Sequence, residues 1–124
     1  MDYGKLFLAT GAVAALIGMG WGIQMSATGD HTLSPAHGHL NLLGWVSMAI
    51  YGVYYALTPQ VGRGWVMGHF GLSLLGLIIL VPGIAMAISG SGEALAKVGS
   101  VVWVLSMVVF VVTVLRNGVG PARA

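Results

Sequence analysis

His37 and His39 are the residues of this sequence best suited to chemistry. An imidazole titrates near neutrality, binds iron, copper or zinc through a ring nitrogen, and is costly in an apolar segment unless it has a partner. The pair opens the run Pro35-Ala36-His37-Gly38-His39-Leu40-Asn41-Leu42-Leu43-Gly44-Trp45. Residues two apart on an α-helix point roughly 200° apart around its axis. The rings therefore face different neighbours, and one helix can serve two sites. Asn41, one turn beyond His37, either satisfies that ring or bonds a ligand. Trp45, further along, either anchors at a membrane interface or walls a pocket. The plainest alternative for the pair is two neutral rings bonded to nearby backbone.

The elements that carry these rings must lie in a bilayer. Of 124 residues, 57% are hydrophobic and 6% are charged, and the mean hydropathy is +0.93. A soluble domain covers its surface with about a quarter charged residues. In lipid the backbone must satisfy itself, which selects helices here. Four apolar segments reach the roughly 20 residues needed to span: 5–27, 35–58, 64–90 and 95–115. Ser34 and Pro35 suit a helix start, Thr58-Pro59 a helix end, and Asn117-Gly118 another. The reading is a single all-α membrane domain, 1–124, folded as an up-down bundle of four transmembrane helices.

Charge and composition narrow the chemistry further. The net charge of +2 comes from basic residues scattered singly, so nucleic acid is not an expected partner. With no cysteine, a metal would rely on His, Met, Asn or carboxylate. Lys5, Arg63, Arg116 and Arg123 fall on one side and Lys97 near the other, which predicts both termini in the cytoplasm. An integral protein of the inner (cytoplasmic) membrane follows if the source is bacterial, with the His pair in the outer half of the bilayer. The 20 glycines include the pairs Gly18/Gly22 and Gly64/Gly68, which serve either packing within the bundle or contact between subunits.

Depth decides which residues can join the pair. At a rise of about 1.5 Å per residue, His39 lies level with Met86 on the third span and with Gln24 and Met25 on the first. Met86 is thus a candidate metal ligand, although methionine is more often a gap filler. His69 lies about 20 Å deeper and cannot share a metal with His37. It is expected to snorkel at the inner interface, with Trp21, Trp45, Trp65 and Trp103 partly anchoring there or at the outer one. His31 beside Asp30 reads as solvated. Pro82 should bend the third span.

The second span, His37-Gly38-His39-Leu40-Asn41-Leu42-Leu43-Gly44-Trp45-Val46-Ser47-Met48 followed by Tyr51-Gly52-Val53-Tyr54-Tyr55 and Pro59, resembles the tenth transmembrane helix of heme-copper oxidase subunit I, cbb-type branch. The third, with His69-Phe70-Gly71 and Pro82-Gly83, is similar to the family's eleventh helix. The resemblance covers roughly half the chain, from Ser34 to Gly90. It implies heme, b-type favoured, with His37 matching the high-spin ligand and His39 the low-spin one. The family's copper-binding helices have no counterpart here, so full oxygen reduction is not expected. Its subunit resembles three four-helix arcs, and this chain resembles one arc, which implies a homo-oligomer with a trimer favoured. The implied function is electron transfer, from an unidentified donor, or binding of a diatomic gas such as oxygen or nitric oxide. The alternative is a copper- or zinc-binding membrane accessory protein without heme.

Overall fold

The computed structural model describes residues 2–123. Four helices account for nearly all of them: α1 (Tyr3–Thr28), α2 (Ser34–Leu57), α3 (Arg63–Ile88) and α4 (Ala94–Asn117), each long and apolar enough to cross a membrane. Their limits agree with the four predicted spans to within two residues. Asp2 caps α1 by accepting the Lys5 amide at 3.0 Å, and Gly29 ends it in a left-handed conformation, φ 68°. Pro35 sits in the first turn of α2, where its missing N–H costs nothing. Thr58 follows the last turn of α2, and Gly118, φ 67°, follows α4. Pro82 lies inside α3, which continues to Ile88.

Neighbouring helices run antiparallel. Along the α1–α2 seam, Gly4 meets Gly52, Gly11 meets Gly44, and Gly18 meets Asn41. These three glycines recur every seven residues, and Phe7 and Ala14 fill the intervening buried positions. This is the spacing of left-handed helix packing, with glycine letting the backbones approach closely. The α3–α4 seam repeats the device. His69, Gly76 and Gly83 alternate with Val66, Ser73 and Leu80 on α3, facing Gly99, Trp103, Ser106 and Thr113 on α4. A Cβ on Gly99 would lie 2.6 Å from the Leu80 Cα, and one on Gly83 would lie 2.6 Å from the Ala96 nitrogen. Gly64 and Gly68, by contrast, look outward with nothing near them. The two predicted glycine pairs thus divide, one inside the bundle and one outside.

Two expectations fail. Trp103 is buried, 6% exposed, against Gly76 and Tyr51 rather than held at an interface. His69 does not snorkel, because it occupies a core position of α3 and is 1% exposed. The end of the bundle that holds Pro59 is stitched by polar contacts. Tyr54 donates to the Gly118 carbonyl at 2.7 Å, Trp65 Nε1 to Thr113 Oγ1 at 2.6 Å, and the Gly120 amide to Thr58 Oγ1 at 3.1 Å.

One local feature has no sequence forewarning. Leu40–Ser47 is a π-helix, flanked by α-helical Ser34–His39 and Met48–Leu57. Its wide turn begins on the residue after His39, and such insertions frequently stand at functional sites.

Candidate functional site

The Pro35 end of α2 splits the His pair as the spacing requires. His37 turns inward and is half-buried, while His39 is exposed on the outside of the bundle. His37 Nε2 lies 2.9 Å from the Gly18 carbonyl oxygen and 3.2 Å from Asn41 Nδ2. A carbonyl only accepts, so Nε2 carries the proton and donates it to Gly18. Asn41 spends its own donor on the His37 carbonyl at 2.8 Å. The ring also meets Trp21 edge to face, with centroids 5.9 Å apart. Gly22 makes this possible, since a Cβ there would stand 3.3 Å from Nε2. His37 and Asn41 therefore clamp α2 to α1.

His39 is arranged in the opposite sense. Its Nδ1 lies 2.7 Å from the Pro35 carbonyl, so Nδ1 is the protonated nitrogen. The lone pair is left on Nε2, on an exposed ring. A backbone carbonyl that fixes the tautomer and orients the free nitrogen is the usual support of a metal-bound imidazole. Exposed apolar side chains follow it along α2, with Leu42 62%, Val46 42% and Trp45 37% exposed. Among the described residues the His39 ring has no hydrogen-bond partner besides Pro35.

The remaining predicted residues differ in exposure. Met86 is 38% exposed near the end of α3, and Met25 is buried. His31 is exposed, with Nδ1 3.3 Å from the Gly29 carbonyl. Beside it, Asp30 accepts from the Thr32 hydroxyl at 2.6 Å and the Thr32 amide at 3.0 Å. These bonds, the hydroxyl's first, hold its carboxyl below the ordinary carboxylate range. Among the described residues, no three His, Cys, Asp or Glu side chains converge as a metal site.

A second polar cluster lies in the other half of the bundle. Tyr55 Oη is 2.7 Å from His69 Nδ1, and Ser106 Oγ is 3.3 Å from His69 Nε2. Ser73 Oγ lies 2.6 Å from Ser106 Oγ and donates to the His69 carbonyl at 2.7 Å. Rings of Tyr51, Phe7 and Phe110 surround the imidazole. From sequence, His69 is expected at the inner interface, so this cluster is not foreseen. Its signal was present in the seven-residue spacing that puts His69 and Ser106 on facing seams.

Fold and site together define a four-span helical membrane protein that carries one inward and one outward histidine on a single helix. Compared with family models, curated proteins and solved structures, the chain matches none.

Proposed function

We propose that this protein is a membrane heme protein in which His39 supplies an axial ligand at the boundary between copies of the chain, for electron transfer or diatomic gas binding. The observation that carries the reading is the His39 ring, with Nδ1 committed to Pro35 and Nε2 free on an exposed apolar face. The resemblance of α2 to the tenth helix of heme-copper oxidase subunit I supports the same assignment. Heme supplies a one-electron iron couple or, with an open axial position, a gas site.

His39 presents its free Nε2 to this group on an exposed face, whereas His37 is half-buried against Trp21 with its Nε2 spent on Gly18. His37, Asn41 and Trp21 instead hold the helix that presents His39, and Leu42, Trp45 and Val46 offer the apolar wall that keeps water away from a bound ring. One chain has little interior for so large a cofactor, so a homo-oligomer, with a trimer favoured, completes the pocket. Both termini lie in the cytoplasm in this reading, and His39 lies in the outer half of the bilayer.

Absorption spectra of the oxidised and reduced protein, purified from heme-sufficient cells, test the proposal. A Soret band that is lost in His39→Ala, in an oligomer by native mass spectrometry, is the expected result. A colourless wild-type protein overturns it, and stoichiometric copper or zinc without iron replaces heme with the metal-handling alternative.

A further inference from the structure

The hydrogen bonds around His69 assign every proton in the cluster. Ser73 gives its hydroxyl proton to the His69 carbonyl, so toward Ser106 it can only accept. Ser106 then spends its proton on Ser73, and toward His69 Nε2 it can only accept. Nε2 therefore carries a proton, Nδ1 is a bare lone pair, and Tyr55 donates to it at 2.7 Å. The result is a buried base with one tautomer and a phenol aimed at its lone pair.

Tyr55 also borders a cavity at the end of the bundle. A cavity of about 260 Å³ at the Pro59 end is lined by Tyr55 together with Asp2, Tyr3, Thr58 and Val66. Its lining is part polar and part apolar, and it is large enough for water. The Tyr3 hydroxyl is buried without a hydrogen-bond partner among the described residues, which calls for an ordered water.

We propose that His69 is a proton-binding site loaded from the Pro59 end through Tyr55. Tyr55 passes its proton to Nδ1 and takes one from a hydronium that reaches the cavity from solvent, so one proton is bound, the phenol is restored and neutral water is left behind. The Nδ1–H then donates to the Tyr55 oxygen, whose own hydrogen turns toward the cavity. The groups facing the ring are Phe7 from α1, Tyr51 and Tyr55 from α2, and Ser106 and Phe110 from α4, so among the described residues no carboxylate or cation is in contact with it. Asp2, Tyr3 and Arg63 stand at the Pro59 end, with the Arg63 guanidinium 5.9 Å from the Tyr3 ring. The rings of Tyr51 and Phe7 are tilted against the imidazole with centroids 4.4 and 5.6 Å away, within the distance at which an aromatic ring attracts a cation. This site does not depend on the heme reading.

Nitrogen-15 NMR of the histidine-labelled full chain in lipid nanodiscs tests it. The neutral ring should show Nε2–H with Nδ1 as a hydrogen-bonded acceptor, and acidification should convert it to two N–H groups. Proton exchange at Nδ1 should be lost in Tyr55→Phe, with the other histidine resonances unchanged as a check on folding. Ser106→Ala should release the lock and give a mixture of tautomers. The proposal is overturned if neutral His69 is the Nδ1–H tautomer, if it stays singly protonated until the bundle unfolds, or if exchange is unchanged in Tyr55→Phe. Should Tyr55→Phe fail to fold, the wild-type tautomer and titration decide alone.

Discussion

Replacing His37 and His39 by alanine, one at a time, should damage two different properties. His37→Ala removes the bond to the Gly18 carbonyl at 2.9 Å. A buried hydrogen bond within a membrane bundle contributes about 0.6 kcal/mol on average and up to about 1.7. It also removes the edge-to-face contact with Trp21, and such aromatic pairs contribute about 0.5–1.5 kcal/mol. The sum is about 1–3 kcal/mol of bundle stability. His39→Ala removes an exposed ring whose only bond is to Pro35, four residues back on its own helix. Its stability cost should stay below about 1 kcal/mol, as for other replacements away from the core. Heme content should move the other way, lost in His39→Ala and largely kept in His37→Ala. Reversible unfolding of both apoproteins in mixed detergent, followed by helix content, gives the first quantity, and pyridine hemochrome analysis gives the second. Equal destabilisation by the two changes, or heme loss only in His37→Ala, would refute the division of labour.

Four further outcomes follow from the packing and the loops. Gly99→Ala puts a methyl 2.6 Å from the Leu80 backbone and should cost about 1–3 kcal/mol, as overpacking does. Gly68→Ala, with nothing within 4 Å, should be neutral or stabilising by up to about 1 kcal/mol in the monomer; thermal unfolding of the two variants compares them. Ser73→Ala takes away the acceptor of Ser106 in a buried site and should cost about 1–3 kcal/mol, read from the same melts. The Asp30 carboxyl should titrate below an unstructured aspartate because Thr32 bonds its ionised form. Its contribution to loop order is thus present above the unfolded value and lost as pH falls through the folded one. Carbon NMR of Asp30 should show that value rising in Thr32→Val.

The four spans were legible because lipid leaves helices little freedom in length, and because Thr58-Pro59 and Asn117-Gly118 are strong stops. The opposite facing of His37 and His39 followed from helical spacing alone. What stayed hidden depended on partners far along the chain. His69 reads as interfacial beside Arg63 and Trp65, until α4 brings Ser106 opposite it and α2 brings Tyr55. Trp103 reads as an anchor until α2 brings the Tyr51 ring to stack beside it. The role of Gly22 needs both helices, since its value lies in the room it leaves for the His37 ring.

The wide turn of Leu40–Ser47 sets the azimuth of everything before it. In an unbroken α-helix, His37 and Tyr55, eighteen positions apart, would return to the same bearing after five turns. Here the π segment takes up about one residue of extra length within its wider turns. The two halves of α2 are thereby aimed separately, His37 toward the glycines of α1 and Tyr55 toward the base on α3. A one-residue deletion inside that segment should leave both bearings intact, whereas the same deletion in Met48–Leu57 would swing the histidine turn by about 100°. The helix thus has one stretch where chain length and direction are uncoupled, and it lies directly behind the outward imidazole.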